Sequence, residues 1–186
     1  MRVILSVILF SFLLCPSFAQ AQLLYNQSNN VDDKSITAHD KIQSTIDSGF
    51  EWVNLEEAQR KAAEYQKKLL IFGYAEWCTY CLKMRRESLS DSTVRDAINR
   101  YFIPVQLDSE SGDSVVFNGT RYTKNQFARG LQIQSFPTHY FVDADGGVIG
   151  AQPGYIEADI YALLLHYVGS NAFERITFDE YIDLRM

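Results

Sequence analysis

Two cysteines three residues apart, Cys78 and Cys81, stand in the run GYAEWCTYCLKM at 73–84. A Trp precedes the first and a Tyr precedes the second. Such a pair can staple a fold, clamp a metal or exchange electrons. A bridge between residues so close closes a very small loop and constrains little of the unfolded chain, which disfavours the staple. A structural zinc site needs four ligands, commonly two CxxC pairs or one CxxC with two histidines. Outside the first 48 residues the histidines are His139, in a predicted strand, and His166, at a boundary position of a predicted helix. That arrangement disfavours the metal clamp. Electron exchange needs a reactive thiolate and a second sulfur within bonding reach, so the elements that hold the two sulfurs decide.

The run LLIFGYA at 69–75 has the length and apolarity of a buried strand, and helical patterning follows from Cys81 to Leu89. The cysteines therefore stand where a strand hands over to a helix. The first turn of a helix offers unpaired N–H groups and a partial positive charge. A sulfur placed there is stabilised as thiolate, and cysteine pKa values in such settings fall from ~8.5 to between ~3.5 and ~7.5. Cys78 is expected as the exposed nucleophile at the helix edge. Cys81, one turn inside, is expected as the sheltered partner that resolves a mixed disulfide. Helical neighbours at i and i+3 bring their Cα atoms near the ~5.5 Å that a disulfide prefers. Lys83, Arg85 and Arg86 add positive potential to the same helix, although each alone reads as a solvated surface residue. Trp77 is expected beside the sulfurs, shaping a substrate groove.

The rest of the chain supplies a scaffold. Leu55, Ala58, Ala62 and Tyr65 recur at helical spacing. A second helix is predicted over 92–101, with Val94, Ala97, Ile98 and Tyr101 on one face. FIPVQLD at 102–108 reads as a strand with Pro104 on its edge. Asn118-Gly119, between β-prone residues at 114–123, predicts an inserted hairpin. A short helix over 124–129 ends at Gly130. Strands are predicted at Thr138–Val142 and Val148–Gly150 about a DADGG turn. The last main helix, 156–168, sets Ile156, Ile160, Leu163, Leu164 and Tyr167 on one face. Thr177 to Glu180 forms a capping box that opens a short terminal helix. The order implies an α/β fold with a mixed sheet and a terminal antiparallel hairpin.

Compartment changes what a cysteine means. Residues 1–21 pair Arg2 with an uncharged apolar run, Val3–Leu14, and a small-x-small site at Ala19-Gln20-Ala21. This reads as a signal peptide, with an exported chain that is periplasmic or secreted after cleavage. The twelve apolar residues are too few to span a bilayer of ~30 Å as a helix. Cleavage would remove Cys15 and leave Cys78 and Cys81 as the whole cysteine content. Residues 22–48 are polar and aperiodic, a flexible leader that holds His39, and residues 49–186 form the domain. Without Arg2 the formal charge moves from -6 to -7. The acidity favours solubility, and no basic cluster points to nucleic acid.

Trp77-Cys78-Thr79-Tyr80-Cys81 after a strand, with Phe136-Pro137-Thr138 far downstream before a hairpin, resembles the thioredoxin superfamily over roughly 50–169. Exported bacterial members are the most similar in pattern: SoxW-type periplasmic thioredoxins and the C-terminal domain of DsbD. The resemblance implies a three-layer α/β/α sandwich, here with the inserted hairpin and a short C-terminal helix. It implies that Pro137 is cis and faces the cysteines, and that the backbone of Phe136 pairs with an extended substrate strand. Trp77, Thr79, Tyr80, Phe136, Pro137 and Thr138 then form the substrate surface. Phe72, six positions before Cys78, replaces the buried acid that reducing members commonly carry. No cofactor beyond the Cys78–Cys81 disulfide is implied. The partners implied are a disulfide-bearing protein and a membrane electron donor. Three functions stay open: a reductase, an oxidase or isomerase, and a binding module that uses the fold without turnover.

Overall fold

The computed structural model describes residues 49–185. The expected signal segment 1–21, the leader 22–48, Cys15 and His39 lie outside the described residues. Helix α1, Leu55–Tyr65, starts where the Asn54 side chain accepts the Glu57 N–H at 3.0 Å, and it ends at Gln66 in the left-handed region. Leu55, Ala58 and Ala62 are buried, as their spacing predicts, whereas Tyr65 is 57% exposed. The chain turns at Gln66, so the last side chain of the helix faces water.

Strand β1, Lys68–Tyr74, is buried along its length up to Tyr74 because helices cover both of its faces. Helix α2, Thr79–Arg86, carries the second cysteine, and α3, Ser92–Tyr101, follows with Val94, Ala97 and Ile98 buried. Strand β2, Phe102–Asp108, returns parallel to β1 with Lys68 beside Phe102. Pro104 lies on the outer edge of the sheet, where its carbonyl accepts the Val53 N–H at 2.9 Å. Its nitrogen points the same way, so no ladder bond to β1 is lost.

The inserted hairpin is present as β3, Ser114–Phe117, and β4, Thr120–Thr123, joined by Asn118 and Gly119 with φ of 48° and 75°. Two positive φ values make the primed turn that matches strand twist. Gln59 of α1 clasps the hairpin: its amide donates to Val116 O and its oxygen accepts the Asn118 N–H, at 2.9 and 2.8 Å. Phe117 and Tyr122 lie 5.0 and 5.9 Å from Phe127 of helix α4, Lys124–Gly130.

Strand β5, Thr138–Val142, pairs antiparallel with β1, and β6, Val148–Pro153, pairs antiparallel with β5. The sheet order is β2-β1-β5-β6. Strand β6 runs three residues past the expected Gly150, because Pro153 still pairs with Thr138. One face of the sheet, with Leu70, Phe72 and Phe141, packs against α2, α3 and helix α5, Ala158–Gly169. The other, with Leu69, Ile71 and Val142, packs against α1 and α4. These are the three layers of an α/β/α sandwich with a mixed sheet.

Helix α5 is rotated from the expected face. Tyr161, Ala162, Leu164, Leu165 and Val168 are buried, while Ile156, Ile160, Leu163 and Tyr167 are half-buried. The helix is apolar on two sides, and the C-terminal segment covers the second. A 3-10 turn, Ala172–Glu174, and helix α6, Phe178–Asp183, bring Phe178 and Tyr181 each to 5.2 Å from Tyr167. The Tyr167 hydroxyl donates to Ile176 O at 2.8 Å. Thr177 and Glu180 form the reciprocal cap that opens α6.

His139 of β5 is fully buried, and its Nδ1 shares a hydrogen bond of 2.9 Å with the Tyr161 hydroxyl. Burial, only partly offset by the Gly154 backbone, lowers its pKa to about 3, so the imidazole is neutral. Burial likewise raises the Tyr161 phenol above its ordinary range.

Two consequences are measurable. A Cβ at Gly169 would meet Cγ of the Tyr101 ring and stand 2.6 Å from Tyr101 Cβ. Gly169→Ala should therefore cost ~1–3 kcal/mol of stability in urea unfolding. The unfolded chain takes up the His139 proton near pH 6.5, whereas the folded chain refuses it until about 3. Stability must then fall as pH drops through that window. Replacing His139 with Gln should remove up to ~1.4 kcal/mol per pH unit of that slope in unfolding titrations between pH 6 and 4.

Candidate active site

The turn that leaves β1 ends on Cys78, whose N–H donates to Ala75 O at 3.1 Å. Cys78 is the N-cap of α2, with extended φ and ψ of -74° and 102°. Its Sγ accepts the Cys81 N–H at 3.0 Å, so sulfur stands where a Ser or Asp oxygen caps other helices. Cys78 and Cys81 are joined as a disulfide with S–S 2.11 Å and Cα–Cα 5.2 Å. The helical spacing that the motif predicts is thus realised as a bond.

Exposure departs from expectation. Cys78 is 4% exposed and Cys81 2%, so both belong to the buried cluster in this oxidised form. The N-cap position turns Cys78 inward toward the core, and Phe136 packs against that same cluster. What faces solvent is the flanking set: Trp77 at 69%, Tyr80 at 62%, and Thr79.

Distant segments meet around the pair. Trp77 and Phe136 pack edge to face with centroids 5.9 Å apart. The indole N–H donates to the Glu110 carboxylate at 2.8 Å, which fixes the ring. The Phe136–Pro137 peptide is cis. Pro137 O accepts the Gly154 N–H at 2.8 Å, which ties this loop to the connection between β6 and α5. Thr138 is buried, and its hydroxyl donates to Ser135 O at 2.7 Å. That side chain secures the loop and is not available to a docking peptide, contrary to its expected place on the substrate surface.

Two residues here carry no motif signal. Glu110 follows β2 and reaches Trp77 only through the fold. Tyr155, after Gly154, lies 6.5 Å from Tyr80. Its hydroxyl donates to the Glu87 carboxylate at 2.8 Å, and the Lys83 ammonium lies 4.1 Å from its ring centre. Lys83 and Glu87 also pair at 3.6 Å. The disulfide thus lies between two aromatic pairs contributed by three segments. Glu76, beside Trp77 in sequence, points to solvent.

Beneath the helix, Phe72 is fully buried, with Gln106 of β2 on one side and His139 of β5 on the other, both in register. Arg85 is also buried there, at 7% exposed. That overturns its reading as a solvated residue. Its guanidinium lies over the rings of Tyr74 and Phe72 and donates to Gln106 Oε1 at 3.3 Å.

The chain is similar to proteins of known sequence and structure. It is 22% identical over 159 residues to the thiol:disulfide interchange protein DsbD of Actinobacillus pleuropneumoniae, covering 82% of this chain and 24% of that one. It is 25% identical over 156 residues to DsbD of Colwellia psychrerythraea, covering 82% and 23%. The chain therefore spans about a quarter of the length of these relatives. A thioredoxin-fold protein from Helicobacter pylori superposes with a TM-score of 0.58 at 19% identity, over 64% of this chain and 84% of that one, which shows the shared fold. The model of the thioredoxin-like domain family matches residues 55–169, from the start of α1 to the end of α5, and the chain belongs to that family.

Proposed function

We propose that this chain is an exported thiol–disulfide oxidoreductase that reduces protein disulfides through Cys78 and Cys81. The observation that carries the reading is the disulfide at the N-terminus of α2, with the Cys81 N–H aimed at Cys78 Sγ. In the reduced protein that N–H and the helix dipole stabilise a thiolate on Cys78. The thiolate attacks one sulfur of a substrate disulfide. The substrate S–S bond breaks, its far sulfur leaves and takes a proton, and Cys78 is held in a mixed disulfide. Cys81 then gives up its proton and attacks Cys78 Sγ. The second substrate sulfur leaves, two electrons have passed to the substrate, and the Cys78–Cys81 disulfide remains.

The substrate enters as an extended segment beside the Phe136 backbone at Pro137, between Trp77 on one side and Thr79 and Tyr80 on the other. Large exposed aromatic rings beside a reactive disulfide fit such a docking surface: Trp77 and Tyr80 are 69% and 62% exposed. The apolar segment at 1–21 supports export to the periplasm or beyond. An exported reductase must be re-reduced, and a membrane electron donor supplies that step. The thiol:disulfide interchange activity named for the relatives supports the chemistry, and their greater length leaves substrate and donor to this proposal.

The same couple run in reverse would be an oxidase, and its potential separates the directions. A value near the ~-270 mV of thioredoxin fits the reductase, and one toward the ~-120 mV of DsbA reverses the assignment. With a model protein disulfide as substrate, Cys78→Ser should abolish turnover. Cys81→Ser should accumulate mixed disulfides visible on non-reducing gels. Turnover that persists in Cys78→Ser would sink the mechanism.

A further inference from the structure

The residue before Cys78 is Trp77, and its ring stands largely in water beside the disulfide. Apolar burial draws an indole of that size inward, so an exposed position has to be held. Two contacts hold it. Phe136 packs against the ring edge to face at 5.9 Å, and Glu110 accepts the indole N–H at 2.8 Å. Glu110 is placed in turn by its own N–H, which donates to the Asp108 carboxylate at 3.1 Å at the end of β2. The indole therefore keeps a face open to solvent, with a carboxylate at its edge. Among the described residues no Lys, Arg or His is ion-paired with Glu110, or with the exposed Glu76 next to Trp77. The other aromatic pair is different. There the Glu87 carboxylate is paired with Lys83 at 3.6 Å and accepts the Tyr155 hydroxyl, and the Lys83 ammonium already lies over the Tyr155 ring.

We propose that Trp77 and Glu110 form a subsite for a cationic side chain, so that the preferred substrate carries Lys or Arg on one side of its disulfide-bonded cysteine. The inference rests on the reading of Cys78–Cys81 as a redox couple that docks an extended segment. An ammonium or guanidinium is drawn to the negative face of an aromatic ring, and Trp is the ring that attracts it best. The carboxylate that holds the indole N–H adds its own charge at the edge of that ring. Trp77 is bonded to Cys78 in the chain, so a side chain lying on the indole belongs to a residue close to the substrate cysteine. The residues before and after that cysteine lie in opposite directions along an extended segment. One then reaches the Trp77 ring and the other the Tyr80–Tyr155 pair, where Lys83 already supplies the cation.

Net charge is the competing explanation. A chain of formal charge -6 attracts any cationic peptide. Such steering is blind to which side of the cysteine the charge occupies, whereas a subsite on one wall is not. A cation over an exposed indole and a solvent-exposed ion pair together account for about a five- to tenfold preference.

The test uses the full chain and synthetic peptides that differ only at the two positions flanking a single cysteine. One carries Arg before and Gln after, one Gln before and Arg after, and one Gln at both. Binding to the oxidised protein is read from the Trp77 indole N–H resonance, assigned by its loss in Trp77→Leu, with serine replacing the peptide cysteine. Reduction is read as the rate constant of the pre-reduced protein with each peptide joined in a mixed disulfide to mercaptoethanol. One Arg peptide should bind and be reduced about five- to tenfold better than the Gln peptide, and the other should stay within about twofold of it. Glu110→Gln keeps an oxygen for the indole N–H and should cut the preference to about twofold, while Trp77→Leu should remove it from the rates. Equal gains from Arg at either position would overturn the proposal, since net charge would then be responsible. So would the absence of any gain, or a Glu110→Gln variant that weakens all the peptides alike. The redox reading is tested apart, with uncharged hydroxyethyl disulfide. Its reduction without an Arg preference would sink the subsite alone, and position-dependent binding without reduction of any disulfide would keep the subsite and remove the redox reading.

Discussion

The hydrogen bond from the Cys81 N–H to Cys78 Sγ is the contact on which the rest of the site depends. It joins three facts of polymer chemistry. A helix must leave its first N–H groups without backbone partners. A residue at the N-cap can satisfy one of them with its side chain. A sulfur in that role gains stability as an anion. The fold supplies the geometry by ending a buried central strand one short turn before the helix. Because β1 is held by β2 on one edge and β5 on the other, the position of Cys78 is fixed from both sides.

The same sheet brings the second half of the site. Strand β5 begins at Thr138, directly after the cis Phe136–Pro137 peptide, and pairs with the end of β1 that leads to the cysteines. The Pro137 carbonyl is tied to Gly154, which places Tyr155 over the outer face of α2. Trp77 is steadied from another direction by Glu110. The exposed aromatic rings thus stand around a disulfide that is itself buried. Such an arrangement suits a reaction in which the partner chain must be docked before its sulfur is reached.

Below the helix the packing is less ordinary. Phe72, Gln106 and His139 form a row across three strands, with Arg85 above one end and Tyr161 above the other. Burying a guanidinium costs free energy, and the two ring faces and the Gln106 amide offset part of it. His139 solves the same problem by staying neutral against Tyr161. Arg85 of the cysteine helix thus brings a charged group into this layer, whereas His139 does not.

Local chemistry made much of the fold legible. Asn118-Gly119 specified its hairpin because few other residues accept two successive positive φ values. Thr177 and Glu180 announced a helix start by their spacing alone. The strand, the CxxC spacing and the following helix defined the redox motif, since bonding reach at i and i+3 is a property of the helix itself. Tertiary structure decided the rest. The buried face of α5 was ambiguous because the helix is apolar on two sides, and the C-terminal turn covers one of them. Glu110 and Tyr155 join the site only because separate strands end near one point. Arg85 looked solvated beside Lys83 and Arg86, for periodicity records which side of a helix a residue occupies but not what lies there. The rings of β1 and the amide of β2, brought there by the sheet, help to make a place where that charge is buried.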